Sequence, residues 1–437
     1  MKVLKFGGTS VGSASRIKEV AKLICDGKQK IVVLSAMSGT TNSLVEIADY
    51  FYKNNPAGAL EKINLLEHKY ENVLDELYSN PKSKADAVEL IKRYFEYLRT
   101  FSKSVFTIFE EKAILAQGEL ISTGMFQIYM EELGESSVLL PALEYMRIDK
   151  NSEPDTAFIA ENLAKQLEAN PGKTYYITQG YICRNFYGEI DNLQRGGSDY
   201  TASLIGAAVK AKEIQIWTDI DGMHNNDPRI VEGTKPVPFL NFEEAAELAY
   251  FGAKILHPTC ILPAKLNNIP VRLLNTMDPN AHGTLISSKI NKANIQAVAA
   301  KEGITAIKIK SGRMLLAYGF LRKVFEIFES YQTPIDMVTT SEVGVSVTID
   351  NKKNLAEIVD NLKKLGTVTV DEDMVIICVV GELQPENVGF QSRAVNALKD
   401  IPVRMISYGG SNYNVSFLVN ASDKNAALRA LSASLFS

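Results

Sequence analysis

The sequence predicts an α/β protein in which a parallel-rich sheet with flanking helices fills roughly the first 290 residues and two βαββαβ units follow. Three observations carry this prediction. The chain opens as strand, glycine turn, helix, strand; the same alternation resumes near Tyr175 and runs to Leu274; and a weak internal repeat lies beyond Asn291. At 437 residues and 46% hydrophobic, the chain is too long for one small core and fits two or three domains.

The first element is the short apolar strand around Val3 to Phe6, which carries Lys5 and runs into Gly7, Gly8, Thr9 and Ser10. Ile17, Val20, Ala21 and Ile24 then repeat at helical spacing, and Gly27 stops that helix before the buried-strand run Ile31 to Leu34. From about Gly58 to Glu132 the sequence is mostly charged and helical, which reads as a helical insertion or a lid. A strand at Tyr175 to Gly180, a hairpin through Asn185 to Asp191, a helix from Thr201 to Lys212 and strands at Ile214 to Trp217 and Val271 to Leu274 complete the sheet near residue 290. Asn291 to Asn294 reads as a linker.

The repeat pairs Pro334 to Thr339 with Pro402 to Ser407, and Val345 to Val347 with Val415 to Phe417. Each copy has an apolar helix before its first strand, a hairpin and a second helix. That order is a βαββαβ unit.

Composition excludes several classes. The formal net charge of −4 leaves no basic footprint for nucleic acid. Cys25, Cys183, Cys260 and Cys378 are scattered, so no zinc site, other metal site or disulfide framework is expected, and reduced thiols fit the cytoplasm. No apolar run approaches a signal-peptide core or a membrane span. A cytoplasmic, non-membrane protein is expected.

Four constellations fall at predicted strand ends or helix starts, where α/β folds place ligands. In the first, glycines after Lys5 let backbone N–H groups turn inward beside a positive charge, which suits a phosphate; the alternative is a tight turn. It is not the common P-loop, because Lys5 precedes the glycines and Ser13-Ala14 follows Gly12. In the second, Ser35 and Gly39-Thr40-Thr41-Asn42 offer hydroxyls and free N–H groups to an anion, or serve as ordinary caps. In the third, Arg195-Gly196-Gly197-Ser198-Asp199 offers a guanidinium fork to a carboxylate, with Asp199 alternatively the N-cap of the next helix. The fourth is Thr218-Asp219 after Trp217, with Arg229 and Lys254 as counter-charges for a nucleotide; Trp217 itself is expected in the core.

His68, His224, His257 and His282 form no nucleophilic arrangement. An ionised carboxylate acceptor needs no general base. Phosphoryl transfer to it requires positioning, Mg²⁺ and positive charge, which is the inventory present.

Lys5 to Val11, Gly118 to Thr123, Arg195 to Ala202 and Phe251 to Pro258 stand in an order that closely resembles the aspartate kinases of the amino-acid kinase family, and the resemblance covers almost the whole chain. It implies a three-layer αβα sandwich over 1–290 and a pair of ferredoxin-like ACT domains at 300–370 and 375–437, the second completed by a strand near 295–300. It also implies transfer of the ATP γ-phosphate to the side-chain carboxylate of L-aspartate, the first step toward lysine, threonine and methionine.

By motif, the resemblance makes Lys5 and Asp199 catalytic, Lys5 neutralising the transferring phosphate and Asp199 organising the lysine and backbone donors. Ser35, Thr41, Glu119, Arg195, Gly196, Gly197 and Ser198 hold aspartate, Glu119 by its ammonium and Arg195 by a carboxylate. Lys5, Gly7, Gly8, Thr9, Thr218, Asp219, His224, Arg229, Lys254 and Ile255 line ATP with its Mg²⁺. An effector pocket is implied at Met314, Phe320, Asp336, Val338, Thr340, Ser341 and Glu342, with lysine favoured and threonine the alternative. A homodimer or dimer of dimers is expected, because ACT modules have sheet edges that pair between chains.

Some positions depart from the family pattern. His224 replaces a tyrosine, Asp191, Asn192 and Gln194 replace Thr-Thr and Gly, and Leu316-Ala317 replaces more polar residues in the effector segment. Two other functions compete: a relative that phosphorylates glutamate, a nucleoside monophosphate or carbamate, and a non-catalytic amino-acid sensor.

Overall fold

The computed structural model describes residues 1–103, 105–193, 196–252, 256–290, 295–311, 318–384, 386 and 388–436. The expected linker at 291–294 lies outside them. The chain divides into two compact units, 1–223 with 255–288 and 224–254 with 289–437. Residues 224–254, which the sequence places inside the first domain, thus cluster with the C-terminal region. Their packing supplies the reason: Val231 joins an apolar core with Val375, Phe417 and Leu428, Asn226 Nδ2 donates to the Leu428 carbonyl at 3.0 Å, and the Val298 N–H donates to Asn225 O at 2.9 Å.

The strands are β1 (Lys2–Phe6), β2 (Lys30–Leu34), β3 (Ser137–Leu140), β4 (Tyr175–Gln179), β5 (Ile182–Arg184), β6 (Ile190–Asn192), β7 (Ile214–Thr218), β8 (Phe239–Asn241), β9 (Val271–Asn275), β10 (Thr284–Ser287), β11 (Ile295–Lys310), β12 (Val338–Ser341), β13 (Gly344–Ile349), β14 (Thr367–Gly381), β15 (Val403–Tyr408) and β16 (Asn414–Asn420). In the first unit the sheet runs β3-β4-β2-β1-β7-β9-β10, parallel except for β10. β2 is buried throughout, as expected of a parallel strand covered on both faces. Trp217 is 6% exposed and stacks on Phe6 with ring centroids 5.7 Å apart, so it belongs to the core.

The helix Ala14–Ile24 buries the four residues whose spacing predicts it, Ile17, Val20, Ala21 and Ile24. Each of its larger apolar side chains contributes about 1.5–3 kcal/mol on burial. The helical insertion consists of Pro56–Leu77, Pro81–Thr100 and Ile108–Glu132. Proline at the first turn and asparagine caps start the first two, and a Thr107/Glu110 capping box starts the third. The third helix is buried along most of Ala113 to Met130 and is a core element.

In the second unit the sheet order is β12-β13-β11-β14-β16-β15. The two long strands serve both repeats: Thr305 to Lys310 of β11 pairs with β13, while Ile295 to Lys301 pairs with the Gly381 to Ile376 stretch of β14, which pairs in turn with β16. Register shifts between Lys301 and Ala306 separate the two halves. Each half has its own core, one around Val324, Phe328 and Ile358, the other around Val375, Phe417 and Leu431.

Candidate active site

β1 is central, with β2 on one side and β7 on the other, and parallel register sets Phe6 beside both Leu34 and Trp217. The segments that leave these strands, Gly7 to Ser10, Ser35 to Thr41 and Thr218 to Asp219, therefore emerge at one edge of the sheet. This is the switch point at which open α/β sheets bind ligands. A cleft of about 660 Å³ opens there, lined by Lys5, Gly8, Thr9, Ser35, Thr41, Glu119, Gly196, Gly197, Ser198 and Asp199 among others.

Lys5 Nζ lies 2.6 Å from Asp199 Oδ1, with both side chains about one-eighth exposed (12% and 13%). Asp199 is not the cap of its helix. The helix Gly197–Ala208 starts earlier than the sequence suggests, at the N-cap Gly196, so Asp199 stands in its first turn with its carboxylate turned to the lysine. Gly196 is left-handed (φ +74°), and a Cβ there would come within 2.8 Å of Cys260 Sγ and of His257 Cβ. Thr40 and Thr41 do not cap either: the N-cap of helix Thr40–Tyr52 is Gly39, which makes no side-chain cap hydrogen bond.

On the acceptor side, Ser35 Oγ donates to Ser198 Oγ at 3.0 Å. Gly180 makes room for this pair, since a Cβ there would sit 2.5 Å from Ser198 Oγ. Glu119 is 4% exposed; its Oε1 accepts from the Ala36 N–H at 3.2 Å, and its Oε2 has no hydrogen-bond partner. Burial pushes its carboxyl up to about 8, against the pull of the Ala36 N–H. A solvated helix glutamate would show none of this.

Tyr181 also lines the cleft, and the sequence alone does not single it out. It is left-handed (φ +67°), a strained conformation for an aromatic residue, and its backbone N–H donates to Thr201 Oγ1 at 3.0 Å. Its position directly after Gly180 at a strand exit is the one signal that marks it.

Gly7 donates its N–H to Trp217 O at 3.3 Å, and Thr218 Oγ1 donates to Asp219 Oδ1 at 3.0 Å. His224 and Arg229 belong to the second unit: His224 Nδ1 is 3.0 Å from Thr234 Oγ1, and the exposed Arg229 guanidinium grips both Asp227 oxygens at 2.9 and 2.7 Å. Arg195, Lys254, Ile255 and Met314 lie outside the described residues, as does Gln194. The departure at Asp191 has a partner, because Lys112 Nζ donates to Asp191 Oδ2 at 2.7 Å.

Of the expected effector residues, Phe320 is in the core of the first repeat. Val338, Thr340, Ser341 and Glu342 are exposed on the edge strand β12 and the turn after it. Asp336 has a side chain 2% exposed and is engaged internally, receiving Lys301 Nζ at 2.6 Å and the Tyr250 hydroxyl at 2.8 Å. Among the described residues no group of three or more His, Cys, Asp or Glu side chains is placed to hold a metal ion. No described helix is long and apolar enough to cross a membrane.

Comparison with known proteins agrees with this geometry. The amino acid kinase family matches residues 1–275 and an ACT domain matches 377–435. Aspartokinase 1, chloroplastic, of Arabidopsis thaliana is 34% identical over 99% of this chain and 80% of its own, and the lysine-sensitive aspartokinase 3 of Escherichia coli (strain K12) is 32% identical over 99% of both. The crystal structure of E. coli aspartokinase III with aspartate and ADP in the R-state superposes at a TM-score of 0.86, with 32% identity over all of both chains. Its T-state complex with lysine and aspartate gives 0.82 at the same identity and coverage. With a cleft built on Lys5, Asp199 and Glu119 at the switch point and likeness along its whole length, the chain belongs to the amino acid kinase family and, within it, to the aspartokinases.

Proposed function

We propose that this aspartokinase uses the cleft at the exits of β1 and β2 to transfer the ATP γ-phosphate to the side-chain carboxylate of L-aspartate, giving 4-phospho-L-aspartate and ADP. The supporting observation is the Lys5–Asp199 pair facing a pocket that contains one buried, half-satisfied carboxyl, Glu119. A carboxylate oxygen of aspartate attacks the γ-phosphorus in line while the bond to the bridging β,γ-oxygen breaks. No proton has to move, so the site needs no base.

Lys5 neutralises charge on the phosphoryl group as it passes between two anions, and Asp199 keeps the lysine aimed. Glu119 receives the substrate ammonium. Ser35, Thr41, Gly196, Gly197 and Ser198, with Arg195 by family motif, hold its carboxylates. Gly7, Gly8, Thr9, Thr218 and Asp219 serve the nucleotide, and His224, Arg229, Lys254 and Ile255 are assigned to it by the same motif.

Mg²⁺ usually keeps several waters and takes one or two carboxylates plus substrate phosphates, and the exposed Asp219 carboxylate would be available to an ion delivered on ATP. Such an ion would supply positive charge to the phosphates.

The regulatory reading is lysine as effector, with threonine the alternative, acting through repeats at 300–370 and 375–437, the latter completed by 295–300. The edge strands β12 and β15 support a homodimer or dimer of dimers. The cytoplasm is the expected compartment.

Hydroxylamine trapping of the acyl phosphate tests the reaction: aspartyl hydroxamate should form with ATP and Mg²⁺, and Lys5→Ala should abolish it. Product with glutamate, a nucleoside monophosphate or carbamate instead would move the chain to another branch. Equal inactivity of parent and variant, with lysine still bound, would make it a sensor.

A further inference from the structure

The cleft loop Ser38 to Asn42 is gripped from outside the site by two consecutive residues of the inserted helix Pro56–Leu77. Lys69 Nζ donates to the Ser38 carbonyl at 2.7 Å, and the Tyr70 hydroxyl shares a 2.9 Å hydrogen bond with Thr40 Oγ1. Tyr70 and Thr40 are both fully buried. Ser38, Gly39, Thr41 and Asn42 line the cleft, whereas Thr40 does not, so the tyrosine holds the loop by the residue that faces away from substrate.

The grip is rigid. The Tyr70 ring meets Phe95 of the next inserted helix edge-on at 5.8 Å, and burial, against the pull of the Thr40 hydrogen bond, holds the phenol far above its ordinary pKa, so the hydroxyl stays intact at every working pH. The loop's own hydrogen bonds over this stretch are Ser38 N–H to Gly8 O at 3.1 Å, Thr40 N–H to Met37 O at 3.0 Å, and the Ser43 N–H and hydroxyl to Gly39 O at 3.1 and 3.2 Å. Gly39 offers no side-chain cap, so the first turn of helix Thr40–Tyr52 is tied locally by these few bonds, and Lys69 and Tyr70 add the ties from the inserted helix.

We propose that Tyr70, assisted by Lys69, is a positioning residue for the acceptor: the inserted helix sets the Ser38 to Thr41 loop against Glu119 and thereby the affinity for aspartate. This rests on the reading of the cleft as the aspartate site. A displacement of about 1 Å in such a loop costs up to a hundredfold in rate, so losing one of two anchors is expected to cost less.

The test uses full-length Tyr70→Phe, Lys69→Met and Thr40→Val. Tyr70→Phe should raise the aspartate KM about five- to twentyfold and leave the ATP KM within about twofold, a split that general loosening would not give. Thr40→Val should match it, and the Tyr70→Phe/Thr40→Val double should be no worse than either single. Amide hydrogen exchange at Ser38 to Thr41, measured without substrate, should run several-fold faster in Tyr70→Phe. An unchanged aspartate KM, a parallel rise in both KM values, additive single effects or unchanged exchange each overturns the proposal. A parent that makes no aspartyl hydroxamate overturns the aspartate reading instead, and the exchange measurement still decides the clamp.

Discussion

Lys5 Nζ and Asp199 Oδ1 meet at 2.6 Å, joining the last turn-in of β1 to the first turn of helix Gly197–Ala208. An ammonium paired this way is partly desolvated and aimed before substrate arrives. Electrostatic stabilisation depends on that preorganisation, because nothing has to reorient as charge moves.

Removing the charge should therefore act on kcat rather than on binding. Lys5→Met is expected to lower kcat by about 10²–10³-fold, the usual effect of losing one such donor. Asp199→Asn leaves the lysine in place without its anchor and should cost less. Aspartyl hydroxamate formed per unit time at saturating substrates measures both; an unaltered kcat in Lys5→Met would remove the lysine from the mechanism.

Glu119 gives a pH prediction. Its carboxyl, pushed up to about 8 by burial, is mostly protonated at pH 7 in the empty cleft, yet the proposed role needs its carboxylate. Binding of the aspartate ammonium must then expel a proton, so the aspartate KM should fall as pH rises from about 6.5 to 8 and level off above it. Glu119→Gln should lose that slope along with most of the affinity. Because a raised carboxyl pKa makes ionisation destabilise the folded state above the unfolded value, the same variant should melt higher than the parent at pH 8, with no ligand present.

Much of this site is legible in the sequence, because its parts are local. Lys5 with Gly7 and Gly8, and Gly196 to Asp199, are short strings whose residue types match the chemistry they perform. What the sequence leaves unread depends on contacts between distant segments. Tyr181 is an unremarkable tyrosine until its left-handed backbone and its place on Gly197 are seen. Tyr70 has the spacing of any core residue on an amphipathic helix. Residues 224–254 continue the α/β alternation in one dimension, and only the packing of Val231 against Leu428 and its neighbours assigns them to the C-terminal unit. Asp191 looks like a defect in the family motif until Lys112 is found 2.7 Å away.

Gly180 is a steric prediction. Its missing side chain lets Ser198 approach, and an alanine methyl would overlap Ser198 Oγ at 2.5 Å and the Ser198 backbone at 2.9 Å. Gly180→Ala should displace the start of helix Gly197–Ala208, break the Ser35–Ser198 hydrogen bond and lower kcat/KM for aspartate at least tenfold. Kinetics at fixed ATP measures this, and Gly410→Ala, with nothing near its Cβ and no left-handed backbone, is the control for a glycine substitution away from the cleft.

The last prediction concerns Asp336, whose side chain is 2% exposed and accepts from Lys301 and Tyr250. Burial pulls Lys301 down, but Asp336 and Asp350 together hold its pKa above the ordinary lysine value. While the carboxylates are ionised, the raised lysine pKa contributes stability that is fully present below the unfolded lysine value near 10.5 and is lost as pH rises through the folded value. Asp336→Asn keeps an acceptor for Tyr250 and leaves Lys301 with Asp350 alone, whose side chain is 41% exposed. A buried charge stripped of its main partner is costly, here about 2–3 kcal/mol given the partner that remains. Urea unfolding at pH 7 should show that loss, and Lys301→Met/Asp336→Asn should recover part of it, since neither charge is then left unpaired. If lysine inhibits and its amine binds Asp336, it competes with the Lys301 ammonium for that carboxylate, and Lys301→Met should then shift the lysine concentration that half-inhibits aspartyl hydroxamate formation. A shift in stability with no shift in inhibition would make the Asp336 pair a structural ion pair only.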